Sequence, residues 1–172
     1  SMERLATVSL SFALGWAASR YFTLRTQPIS FEEEEASVVQ TEPSAALLYL
    51  RENSDDDVKM VFVVRNDLKM SKGKIGAQVG HAAVDCAEQA SEEEPELYEE
   101  WEECGSTKVC LKVDSEEELL AIAAACETKG LISSVIEDAG RTQIEAGSKT
   151  VCGVGPGPAG LIDSVCGHLK LL

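Results

Sequence analysis

Met60-Val-Phe-Val-Val64, then Arg65-Asn-Asp-Leu-Lys-Met-Ser71, then Lys72-Gly-Lys-Ile-Gly-Ala-Gln-Val-Gly-His-Ala-Ala-Val-Asp-Cys86: these residues decide the fold. The first run is apolar at every position, as in a strand covered on both faces. Ser71 has the side chain of a helix N-cap, which predicts a helix from Lys72 to Ala90. Ile75, Val79, Ala82, Ala83 and Cys86 recur at helical spacing and form the face that packs on a sheet. A buried strand feeding an amphipathic helix opens an α/β unit.

The pattern continues downstream. Glu92 to Cys104 reads as a second, acidic helix, and Lys108–Val113 as a second strand. Ser115-Glu-Glu-Glu118 is a capping box that opens a helix to Lys129, with Gly130 as its stop. Ile132–Ile136 and Thr150–Val154 read as strands three and four, and Pro158 begins a short helix through Val165. The order β-α-α-β-α-β-β-α predicts one three-layer α/β domain with a small mixed sheet over residues 59–172.

Upstream, residues 1–25 hold an uncharged run, Leu5–Ser19, between Arg4 and Arg20. A membrane span needs about 20 apolar residues. Tyr21, Phe22 and Leu24 bring this run to marginal length if Arg20 snorkels, and Trp16 and Tyr21 suit an interface. A signal anchor, a cleaved secretory signal and a surface-packed helix compete for it, and the anchor is preferred. Residues 26–58 contain Glu32–Glu35 and Asp55–Asp57, which repel one another and cannot build a core. They read as an acidic flexible linker with partial helix at Ala45–Leu50.

The 172 residues carry 15 Lys+Arg against 30 Asp+Glu, a net charge of −15. That average argues against a nucleic-acid binder. The distribution is uneven. Residues 59–84 have five basic groups and one acidic, whereas residues 85–127 have two basic and 15 acidic. The basic region surrounds the end of strand one, and ligands of open α/β sheets bind beyond the carboxyl ends of strands. A local basic mouth can grip a phosphate backbone; the bland alternative is a solvated loop. Arg65, Lys69, Lys72 and Lys74, with Arg141 across the mouth, are the candidates. Six cysteines form no CxxC pair and only two histidines exist, so no metal-ligand set is visible and free thiols are expected.

Lys74, Gln78, His81 and Asp85 stack on one face of the first helix. Lys74 lies in the first turn, where a cation opposes the helix dipole; with the free N–H groups there it suits an anion. His81 reads equally as a half-buried histidine bonded to its neighbours. Asp138, in Glu137-Asp-Ala-Gly-Arg-Thr142, either orients water and pairs with a lysine or makes an ordinary Asx turn. Gly155, Gly157 and Gly160 match a dinucleotide fingerprint formally, but Pro156 and Pro158 remove donors that a pyrophosphate needs. A tight strand-to-helix turn is the reading kept there.

Val63–Lys74, Gln78-Val-Gly-His-Ala-Ala83, Asp138-Ala-Gly-Arg-Thr142, Gly155-Pro-Gly-Pro158 and the terminal Gly167–Leu172 together resemble the archaeal/eukaryotic type 2 peptidyl-tRNA hydrolases. The N-terminal hydrophobic segment resembles that of the vertebrate mitochondrial-type members. The resemblance implies a three-layer α/β/α fold with a four-stranded mixed sheet, often dimeric. It implies hydrolysis of the ester joining a peptide to the terminal ribose of tRNA, with no metal or nucleotide cofactor. The family's functional positions fall on Lys74, Asp138, Thr142 and Thr150, with His81 in the same helix motif. Gln78 joins Arg65, Lys69, Lys72 and Arg141 as substrate-binding candidates. No Gly-x-Ser-x-Gly elbow and no Cys–His motif supplies a nucleophile, so water is the expected attacker. Peptidyl-tRNA and a second copy of the chain are the expected partners. The expected location is the mitochondrial outer membrane, with the domain facing the cytosol; a cytoplasmic location is the alternative. A membrane-tethered interaction protein in apoptosis signalling, with partners of that kind, is the competing function.

Overall fold

The computed structural model describes residues 43–141 and 143–172. The expected anchor at 1–25, most of the linker and Thr142 lie outside the described residues. Helix α1 is Ala45–Glu52, and β1 is Val58–Arg65. Helices α2 (Lys72–Glu93) and α3 (Pro95–Glu103) lead to β2 (Lys108–Val113). Then follow α4 (Glu116–Thr128), β3 (Ser133–Glu137), β4 (Lys149–Pro158), α5 (Ala159–Cys166) and β5 (Lys170–Leu171).

The sheet order is β3-β4-β1-β2-β5. β1 and β2 are parallel, as the α2–α3 crossover between them requires. β4 runs antiparallel to both β1 and β3. Helices α2 and α3 pack against each other and the sheet, as do α4 and α5 as a separate pair, which gives the expected α/β/α layering. β1 and β4 are central and almost wholly buried. Val58, Met60, Val61, Phe62, Val63 and Val64 are all at most 2% exposed. Each contributes about 1.5–3 kcal/mol by leaving water, which is why this continuous apolar run anchors the fold.

One number differs from expectation: the sheet has five strands, not four. The extra one is Lys170–Leu171, paired with Leu111 and Lys112 of β2. Two exposed residues carry no readable periodicity, so only the pairing reveals them. The Gly-Pro repeat also differs, because it belongs to β4 rather than to a turn. β4 runs to Pro158 beside Val58, with a register shift between Lys59 and Val61. Proline is tolerated in a strand at such an irregularity.

The body also begins earlier than residue 59. α1 is capped by Ser44, whose hydroxyl oxygen accepts from Leu47 N–H, and Ala46 is buried. The Ser44 hydroxyl donates to Glu94, and Arg51 pairs with Glu96 at 2.9 Å. Asp56 accepts from the Gly160 N–H at 2.8 Å. Among the described residues, no helix is long and apolar enough to cross a membrane.

Topology brings chemistry to one end of the sheet. β1 and β3 end there, β4 starts there, and α2 follows β1 there. Gly153 lets α2 approach β4 closely: a Cβ at that position would lie 2.7 Å from Cys86 Sγ.

Candidate active site

Lys74 sits in the first turn of α2, and Asp138 follows β3 directly. Their side chains form an ion pair across the sheet end, 13% and 3% exposed respectively. Charges this far from water persist only when paired and hydrogen-bonded. Asp138 meets that demand at both oxygens. Oδ2 accepts from Lys74 Nζ and from Gln78 Nε2 at 3.1 Å, and Oδ1 accepts from the Gly140 N–H at 2.9 Å. The Lys74 hydrogen bond, helped by Gly140, holds the Asp138 carboxyl below the usual carboxylate range.

Gln78, one turn beyond Lys74, is 5% exposed. Its amide hydrogen goes to Asp138, and its carbonyl oxygen lies 2.6 Å from the Thr150 hydroxyl. Thr150 is fully buried at the start of β4, with Ile136 O as a second acceptor within 3.2 Å. The four side chains therefore form one chain, Thr150–Gln78–Asp138–Lys74, satisfied at every link. Buried polar networks of this kind fix geometry.

The loop between β3 and β4 is closed at its base. Asp138 N–H donates to Ser148 O, and Gly147 N–H donates to Asp138 O. Gly140 adopts φ 72°, and a Cβ there would lie 2.6 Å from the Ala146 Cβ. Only glycine fits that turn, and the turn aims the Gly140 N–H at Asp138.

A cleft of about 550 Å³ opens over this pair. Ser71, Lys74, Ala77, Gln78 and His81 of α2 line one wall, and Asp138, Ala139, Arg141 and Gln143 the other. A second cavity of about 570 Å³ lies beside the far end of α2, lined by Glu93, Glu94 and Glu127 among others. It holds no comparable convergence of buried polar groups.

The expected residues fare differently. Lys74, Asp138, Gln78 and Thr150 converge, although Gln78 is an interior link rather than a surface contact. His81 is exposed on the cleft wall and takes no part in the buried chain. Thr142 lies outside the described residues. Arg141 lines the cleft. Lys69, three residues before α2, and Lys72, its first residue, are exposed but are not among the residues that line it. Arg65 does not face the cleft. Its guanidinium binds Asp67 at 2.6 Å and Glu116 at 2.7 Å, and it donates to Lys149 O at 3.3 Å. Gln143 belongs to none of the sequence motifs, yet its side-chain oxygen accepts the Ser71 N–H at 3.1 Å.

All six cysteines are free thiols. Burial pushes Cys86 and Cys166 up to about 12 and Cys126 up to about 11. Thiols held protonated in the core are not nucleophiles. Among the described residues, no cluster of His, Cys, Asp and Glu has the arrangement of a metal site.

A family model described as "Peptidyl-tRNA hydrolase PTH2" matches residues 58–172. The chain is 44% identical over 164 residues to human "Peptidyl-tRNA hydrolase 2, mitochondrial", spanning 95% of this chain and 87% of that one. The bovine protein of the same name is 45% identical over 171 residues, covering 99% of this chain and 91% of its own. "Peptidyl-tRNA hydrolase" of Saccharolobus solfataricus is 47% identical over 119 residues, covering 67% of this chain and 99% of its own.

Proposed function

This chain belongs to the PTH2 peptidyl-tRNA hydrolase family, and on that premise we propose that the Lys74–Asp138 cleft cleaves the peptidyl ester by direct attack of water. The observation that carries this reading is the buried chain Thr150–Gln78–Asp138–Lys74 at the floor of the cleft. Water adds to the ester carbonyl carbon and the carbonyl oxygen takes the negative charge. As the carbonyl re-forms, the bond to the ribose oxygen breaks, and that oxygen leaves with the proton that the attacking water gives up. Lys74 gives one N–H to Asp138 and has two more for the developing oxyanion. Asp138, held ionised by Lys74, is a weak general base. Its role is to orient the water through Oδ1, which has one lone pair free beside the Gly140 bond. Electrostatic positioning therefore carries more of the rate than proton abstraction. Arg141, which lines the cleft, and the exposed Lys69 and Lys72, close in sequence to its Ser71, hold phosphates of the tRNA 3′ end. Thr142 bonds substrate or water, and His81 contacts the substrate beside Ala77.

The test is deacylation of N-acetyl-aminoacyl-tRNA by the full chain, with and without a chelator. We expect turnover at the same rate in both. No turnover, or turnover abolished by the chelator and restored by one metal, would overturn the reading.

The names of the human and bovine relatives support a mitochondrial location. An outer-membrane anchor at residues 1–25, with the domain facing the cytosol, is the reading kept from the uncharged, Arg-flanked run Leu5–Ser19. Imaging of a fusion lacking residues 1–25 tests this; unchanged mitochondrial targeting would refute the anchor. A homodimer in solution belongs to the same reading. Nothing as specific as the buried chain favours the signalling alternative. The acidic helix α3 buries Leu97 and Trp101 and turns its carboxylates to water, as any amphipathic surface helix does.

A further inference from the structure

An N-terminal capping box needs two partners: the cap side chain accepts an N–H from the first turn, and residue N3 reaches back to the cap's own N–H. In α2 the first half is present, since Ser71 Oγ accepts from the Lys74 N–H at 3.3 Å. The second half cannot form within the helix. N3 is Lys74, which has no acceptor and is committed to Asp138. The Ser71 N–H is satisfied instead by Gln143, from 72 residues away. The loop bearing Gln143 is fastened at its base by the Asp138–Ser148 and Gly147–Asp138 backbone bonds. Gln143 fastens its outer part to the very turn that presents Lys74.

We propose that Gln143 is a positioning residue that completes the cap of α2 across the cleft, fixing Lys74 and the Arg141 segment relative to one another. This rests on the hydrolase reading above. The capping box is split between two elements because its usual N3 position is taken by a group the chemistry needs. The loop is thereby held at two points, Asp138 on Lys74 and Gln143 on Ser71, with Arg141 between them in sequence.

The experiment compares Gln143→Met, of matched length but without an acceptor, with Gln143→Glu, which keeps one. Saturating single-turnover rates on N-acetyl-aminoacyl-tRNA and amide exchange at Ser71 are both measured on the full chain. A lost hydrogen bond of this kind predicts a rate about two- to tenfold lower for Gln143→Met, with faster exchange at Ser71. Gln143→Glu should recover most of both, because a carboxylate is a good acceptor at a helix N-terminus. A role confined to fold stability would shift melting without moving the saturated rate. Wild-type rate in Gln143→Met, or failure of Gln143→Glu to restore the rate while it protects Ser71, would overturn the proposal. So would faster turnover in Gln143→Met, which would mean that the side chain obstructs the substrate. An inactive wild-type chain would instead defeat the hydrolase reading itself.

Discussion

The two ends of α2 make the same electrostatic mistake and resolve it differently. Its first turn carries Lys72 and Lys74 and no acid; its last turn carries Glu92 and Glu93 and no base. Both arrangements oppose the helix dipole, at a cost of about 0.3–1 kcal/mol each. At the start, Asp138 arrives from another element and turns the misplaced cation into half of a buried pair. At the end, the carboxylates stay in water, and the neighbouring Glu94 is raised by burial and only partly relieved by the Ser44 hydroxyl. The cavities beside the two ends are nearly equal in size, about 550 and 570 Å³. Volume does not tell them apart. Convergence of satisfied, buried polar groups does.

That contrast predicts a hierarchy of effects. At the start of α2, Lys74→Ala and Asp138→Asn should each lower kcat by about 10²–10³, the usual loss when a preorganised stabilising group is removed. Circular dichroism must show both variants folded. Because Lys74 depresses Asp138, the wild-type rate should have no acid limb from this carboxylate near neutrality. The stability that the pair contributes is complete above about pH 4, the unfolded value, and is lost only as pH falls below it through the depressed native value. A neutral-pH limb that vanishes in Asp138→Asn would show that Asp138 is a base with a raised pKa.

One link further in, Gln78→Leu removes a donor from Asp138 and strands the Thr150 hydroxyl on Ile136 O alone. The expected result is a roughly tenfold loss of kcat. Chemical denaturation should also show about 1–3 kcal/mol lost, the cost of leaving buried polar groups short of partners. An unaltered kcat would reduce the Thr150–Gln78 half of the chain to scaffolding.

At the rim, Lys69→Glu or Lys72→Glu should raise KM several-fold and flatten the salt dependence by about one phosphate contact, leaving kcat nearly intact. Arg65→Gln should instead lower stability and leave the salt slope alone, because Asp67 and Glu116 occupy its guanidinium. KM across a salt series decides both; an unchanged slope in the lysine variants would put the tRNA elsewhere. The smallest effect belongs to the far end. Glu93→Lys should stabilise the fold by about 0.3–1 kcal/mol in thermal melts and leave kcat and KM untouched. A loss of activity there would mean that the acidic end touches substrate.

Much of this contrast is legible in the residues themselves. The continuous apolar run of β1, the cap at Ser71 and the stacked Lys74 and Gln78 are local patterns, and the structure has them where local physics puts them. What was not legible is non-local. Arg65 reads as a phosphate contact until Glu116, 51 residues away, takes it. Gln78 reads as a surface group until Thr150, 72 residues away, shows that it is interior. The Gly155–Pro158 stretch reads as a turn because its burial in β4 depends on pairing with Val58 and Lys59. The Ser71–Gln143 bond left one trace in the sequence, a lysine at the position where a capping box wants glutamate.

The central claim is that Lys74 and Asp138 act as one unit. A double-mutant cycle on kcat tests it directly, with Lys74→Ala, Asp138→Asn and the double variant measured on N-acetyl-aminoacyl-tRNA by the folded full chain. Groups that work as a unit are strongly non-additive. The double variant should therefore lose about as much as the worse single one, within a factor of a few. Losses that multiply would mean that the two groups act independently, and near-wild-type turnover in either single variant would place the chemistry outside the pair.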